Sequence, residues 1–235
     1  MANPTPTLLT SGTAGSGTSA GTASVSPTGN YLILAALSLR WTNSQSTPTI
    51  TVSGNGLTWV QVAEENGTAG SSEWSLHVFR ALGASPSSGA ITFSSGSENV
   101  IAWNWDVIEW SDVDTSGTNG SGAIAQSATN FGTSPLTVTL ASGDSGNSTF
   151  GAFAENDYDN PTYTPGTGFT EISDGSSGFA SLQTEWQSGI DTSVDATCST
   201  SSAPMLGIAI EVKAAAGGST AVPVFYHNLQ IQGIA

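Results

Sequence analysis

Residues 99–114 read NVIAWNWDVIEWSDVD, and the spacing of the bulky side chains in this stretch decides the fold class. Ile101, Trp103, Trp105 and Val107 recur at every second position, with Ala102, Asn104 and Asp106 between them. An extended strand sends alternate side chains to opposite faces, so one side is apolar and bulky and the other small or polar. Trp103, Trp105 and Trp110 fall within eight residues, and each indole can bury roughly 150–250 Å². The core is expected to assemble against this strand.

Similar runs lie on both sides. Residues 30–40, NYLILAALSLR, are nearly continuous apolar sequence between two turn clusters. Their Leu and Ala content suits a helix as well as a buried strand, and the strand is preferred. Residues 49–53 and 57–63 are short alternating runs joined by Gly54-Asn55-Gly56, which reads as a tight hairpin with positive φ at its glycines. Trp74, Leu76, Val78 and Arg80 alternate with Ser75, His77 and Phe79, and residues 90–93 follow a Gly/Pro/Ser turn. Beyond a loop at 115–122, strands are expected at 124–128, 136–140, 149–154, 168–172, 179–186, 194–198 and 206–212. No amphipathic helical window competes, so the expected class is all-β, a jelly-roll-like two-sheet β-sandwich. Gly56-Leu57-Thr58-Trp59-Val60 and Gly168-Phe169-Thr170-Glu171-Ile172 share one pattern. Two five-residue matches fall short of a repeat array and are read as equivalent edge positions.

The 235 residues suit one large β domain. Only 9% are charged, and the formal net charge of −15 sets 18 acidic residues against Arg40, Arg80 and Lys213. Such a surface repels phosphate backbones, which argues against direct nucleic-acid binding and favours solubility, cation capture or a basic partner. No apolar run reaches the ~18 residues of a membrane span. Residues 1–21 are rich in Thr, Gly, Ser and Pro, with Leu8 and Leu9 as the apolar anchors. They read as an extended arm, and they lack the basic start and apolar run of a Sec signal, so the chain is expected to be made and kept in the cytoplasm. Residues 22–213 form the expected sandwich, and 214–235 a linker and tail. The tail is apolar at Val224, Phe225, Tyr226, Leu229, Ile231 and Ile234, with His227 among them. It is too short to fold alone, and either returns to its own sandwich as a last strand or forms a subunit interface.

Catalytic patterns are sparse. Gly17-Thr18-Ser19-Ala20-Gly21 fits G-x-S-x-G but lies in the arm, without the strand and helix a nucleophile elbow needs. His77 sits in a strand pattern and reads as a sheet-face residue, and the lone Cys198 as a small buried apolar one. Asp106 and Glu109, three apart in a strand, point to opposite faces and cannot flank one bond as a glycosidase pair does. The chain is read as no enzyme. Calcium is the cofactor best suited to the oxygens of Asp112 and Asp114 in one loop and Asp157 and Asp159 in another. Trp41 and Trp186 lie near strand ends, where a ring can stack on a glycan.

The order of segments resembles the jelly-roll-type sandwich of tailed-phage virion proteins and bacterial surface proteins. The residues carrying the resemblance are 31–38, Gly56-Leu57-Thr58-Trp59, Val78-Phe79-Arg80-Ala81, Ala90-Ile91-Thr92-Phe93, residues 107–114, Gly168-Phe169-Thr170 and residues 208–213. The resemblance covers roughly residues 22–213, and no catalytic residues come with it. It implies a virion structural protein, such as a capsid decoration or head-surface protein, partnered with a capsid protein, assembled as a homo-oligomer and made in a host cytoplasm. The alternative is a carbohydrate-binding or adhesive module on a tail fibre or cell surface.

Overall fold

In the computed structural model, which describes residues 2–42, 46–69, 72–156, 160–200 and 204–216, the quoted stretch forms β8 (Ala102–Ser111), buried at every position except Ser111. Both of its faces are covered. Trp103, Trp105 and Val107 pack into one core, while Ile108 and Trp110 pack into another. Asn104 and Asp106, expected on a polar side, are buried too, because a second large sheet lies over them.

The fold contains β1 (Thr5–Ala14), β2 (Ser19–Gly21), β3 (Leu32–Thr42), β4 (Thr51–Gly54), β5 (Val60–Ala69), β6 (Ser72–Ala81) and β7 (Ile91–Ser94) before β8. After it come β9 (Ile124–Thr133), β10 (Leu136–Thr139), β11 (Ser148–Glu155), β12 (Tyr163–Pro165), β13 (Thr170–Ser176), β14 (Ser181–Ser188), β15 (Ser193–Cys198) and β16 (Pro204–Val212). The all-β sandwich reading holds, and the chain carries the two-sheet arrangement twice, in four sheets. The first half pairs its strands as β1-β8-β3-β6-β5 and β2-β7-β4; the second as β9-β16-β11-β14-β13 and β10-β15-β12. Subtracting eight from each number in the second half reproduces the first. Each half is therefore a jelly-roll-like sandwich, with its fifth strand kept beside the sixth in the large sheet.

The large sheets meet face to face. β1 lies over β13, and β5 over β9; β16 touches β6 as β14 touches β8. These reciprocal contacts describe a pseudo-twofold axis running along the strands, the arrangement of a two-fold interface built within one chain. Trp110 of the first half meets Phe150 and Trp186 of the second edge-on, at 6.1 and 6.2 Å between ring centroids. Edge-to-face pairs contribute about 0.5–1.5 kcal/mol beyond their burial. The Gly56 and Gly168 echoes fall in matching places: each glycine has positive φ and leads into the fifth strand of its half, just before a bulge.

Three expectations are corrected. The first 21 residues are extended but belong to the body, since β1 pairs with β8 along its length and β2 pairs with β7. At Gly12 an added Cβ would lie 2.7 Å from the Trp105 ring, so this glycine lets the indole lie across the strand. The turn at Gly54-Asn55-Gly56 has the positive φ values expected, but the strands beside it do not form a hairpin. Asn55 Nδ2 donates to the Ser87 and Gly89 carbonyls, which sends β4 to β7 and leaves β5 to β6. The body also extends past residue 213: Ala214 N–H donates to Asn147 Oδ1, and Ala215 N–H to the Asp112 carbonyl.

Candidate functional site

Among the described residues, three buried groups of chemistry-bearing side chains stand out. On the outer face of β5 and β6, Ser75 Oγ lies 2.7 Å from His77 Nε2, and His77 Nδ1 lies 3.6 Å from Glu64 Oε2. Gln61 and Asn66 amides also donate to Glu64. The order Ser, His, Glu is that of a nucleophile relay. Ser75 and His77 are each 1% exposed, however, so the hydroxyl is closed to a substrate. Burial holds the imidazole down to about 4 against the pull of Glu64, and the ring stays neutral at ordinary pH. Aligned on the bulges, the second half places Ser181, Gln183 and Asp174 at the matching positions. There Ser181 Oγ bonds Tyr163 Oη at 2.6 Å. A histidine in one half and a glutamine in the other do the same work of fixing buried polar atoms.

The second group surrounds Glu185, which is fully buried and accepts from Gln183 Nε2 and Gly166 N–H. Burial raises its carboxyl to about 7 against these hydrogen bonds, with Asp195 and Glu171 adding to the rise. Sequence reasoning missed this residue, since alternation in 179–186 gives no sign that the face bearing Glu185 is covered by β12 and β15. The third is Asp106, held by Thr184 between the halves. Glu109 does point the other way, accepting from Thr28 N–H and Oγ1.

The remaining sequence candidates are placed as follows. Trp41 is 2% exposed and packs in the core of the first half, so its ring offers no stacking face; Trp186 is half-buried against Trp110. Ser19 of the G-x-S-x-G string lies in β2, paired with Ser94. Asp114 accepts from Ser116 and pairs with Lys213 Nζ at 3.0 Å, contacts that hold its carboxyl down to about 2. Asp112, at φ 56°, takes a hydrogen bond from Ser111 Oγ. Among the described residues no three His, Cys, Asp or Glu side chains are grouped to hold a metal ion, and Asp114 is engaged with Lys213 and Ser116. Asp157, Asp159 and the tail residues Val224, Phe225, Tyr226, His227, Leu229, Ile231 and Ile234 lie outside the described residues.

What the structure does bring together is the segment at Asn3–Pro4 and the last described residues, from Ala214. Asn147 is the junction: its carbonyl accepts from Asn3 Nδ2, its Nδ2 donates to Glu211 Oε1 at 2.6 Å, and its Oδ1 accepts from Ala214 N–H. Ser148 Oγ donates to the Pro4 carbonyl at 2.7 Å. Beside them, Ala125, Asn147, Glu211 and Ala214–216 line an open crevice of about 380 Å³. The segment leading into β1, the crossing from β8 to β9 and the chain beyond β16 thus share one end of the molecule. The large apolar side chains left exposed among the described residues are Leu8, Phe131 and Phe179.

Comparison with known proteins finds no matching family model, no similar curated protein and no similar solved structure.

Proposed function

We propose that the chain is a non-enzymatic structural protein of a virus particle, a bacteriophage capsid decoration or head-surface protein that joins its neighbours through the segment beyond Ala216. The observation that carries this reading is the closed body, in which Asn3–Pro4 and Ala214 meet at Asn147–Ser148. Asp106 and Thr184 join the two halves, Ser75 and His77 are closed from solvent, and the described chain reaches the Asn147 junction with 19 residues of sequence beyond it. Those residues begin Gly-Gly-Ser-Thr and continue with bulky apolar side chains from Val224 to Ile234. Burying such side chains contributes roughly 1.5–3 kcal/mol each, less the cost of ordering the segment. A neighbouring capsid protein or a second copy supplies the surface. The net charge of −15 keeps the bodies soluble and apart until the tail engages.

The test is the fate of the chain in cells that produce it. Antibodies to the body should find it banding with assembled particles in a density gradient after lysis, and decorating them in electron micrographs. A chain that stays wholly in the soluble fraction while particles band without it overturns the virion role.

A further inference from the structure

Among the described residues the two large sheets have four unpaired edges, and three of them carry charge or proline as well as a bulge. β5 carries Glu64 and Glu65 and a bulge at Val62; β13 carries Glu171 and Asp174 and a bulge at Ile172. β1 has Pro6 and a bulge at Leu9. Charges, proline and bulges are the devices by which edge strands refuse a further strand. β9 has neither charge nor proline in its ten residues, IAQSATNFGT, and its bulge, at Ala125, falls at the very start of the strand. From Gln126 to Thr133 it stays in unbroken register with β16, and Ser127, Thr129 and Phe131 alternate along it as exposed positions. Phe131 is 47% exposed, its ring edge against Trp74 at 6.1 Å. The small sheets end in strands of three or four residues, too short to serve as templates.

Resting on the assembly role proposed above, we infer that the free edge of β9 takes residues 224–234 of a second copy as an added antiparallel strand, with Phe131 as the apolar anchor. Direction chooses the second copy over the chain's own tail. The described chain leaves β16 at the end where β9 begins, with Val212 opposite Ile124. A tail folding straight back along its own β9 would run parallel to it, whereas every strand pairing in the body is antiparallel. Residues 217–223 bridge Ala216 and Val224 in eight steps, at most ~29 Å extended, short of the ~31 Å from the start of β9 to its far end at ~3.4 Å per step. Entry from that far end in the same chain is therefore out of reach, and a second body approaching end to end removes the difficulty. Main-chain bonds to an edge strand give affinity, and alternate side chains give register.

The test mixes two full-length variants, Thr129→Cys and Tyr226→Cys or Leu229→Cys, under oxidised glutathione. Cys198 is buried and does not compete. A covalent dimer containing one chain of each kind is expected, together with weaker association of Thr129→Lys, which guards the edge. A chain carrying both cysteines that closes only on itself overturns the inference, because the tail then lies on its own β9. If no cross-link forms while removal of residues 217–235 still abolishes association, the tail docks elsewhere: the inference falls and the assembly role stands. If the truncated chain associates as well as the full one, both fall.

Discussion

Asp106 Oδ2 on β8 accepts a hydrogen bond of 2.8 Å from Thr184 Oγ1 on β14, joining the two halves across the apolar seam between them. Burial raises the Asp106 carboxyl to about 6 despite the hydroxyls of Thr184 and Ser173, and Asp174 adds to the rise. The folded chain therefore holds this proton longer than the unfolded one. Stability contributed below pH ~4 is lost as pH rises through about 6. Thr184→Val is expected to cost more at pH 8, where the carboxylate is charged and loses its partner, than at pH 4. A difference of about 1–2 kcal/mol between the two conditions is the scale for a hydrogen bond to a charged group. Urea unfolding at both pH values checks it.

Glu185 gives the alkaline limb. Its carboxyl is raised to about 7 by burial, so its contribution fades as pH rises from about 4.5 through 7. Glu185→Gln keeps an acceptor for Gly166 N–H and removes the charge. The variant should match the parent near pH 4 and exceed it at pH 8 by up to about 3 kcal/mol, since every tenfold gain in proton affinity on folding corresponds to about 1.4 kcal/mol. Thermal melts across that range read the crossing.

His77 works in the opposite direction. Its imidazole is held down to about 4 by burial, so the folded chain resists a proton the unfolded chain accepts. Stability is full above about 6.5 and falls as pH drops through 4. His77→Gln copies the residue at the matching place in the second half, Gln183, and should fold with a flatter acid limb. Chemical denaturation between pH 4 and 7 measures it; an unchanged limb would show that His77 is not its source.

Trp110 is the aromatic clasp between the halves. Trp110→Ala removes both edge-on contacts and leaves a cavity beneath Phe150 and Trp186. A loss of about 3–5 kcal/mol is expected for a fully buried large aromatic. Trp110→Phe, which keeps a ring in place, should lose less, and calorimetry orders the three proteins.

The buried strands were the legible ones. β3, β6, β8, β11 and β16 advertise themselves through apolar runs or strict alternation, because both their faces or one whole face must be filled. β1, β2 and β12 escaped notice. Their Thr, Gly, Ser and Pro residues sit at sheet edges, where one side needs no apolar cover. The duplication left only the Gly56 and Gly168 echoes, since two halves can share strand order while their cores are filled by different side chains. Trp41 and Trp186 both lie near strand ends, and only the packing of the sheets shows that Trp41 is enclosed in the core while Trp186 stays half-buried against Trp110. The free edge of β9 has no signature in sequence. An edge exists only once the pairing of every other strand is known.

The most direct measurement is the mass of the full-length protein in solution beside residues 1–216, by light scattering over a range of concentrations. The truncation point keeps Ala214 and Ala215 bonded to the body. The full chain is expected to form a defined oligomer and residues 1–216 a cooperatively folding monomer. Two compact monomers, or a truncated chain with the full oligomeric mass, would contradict assembly through the tail.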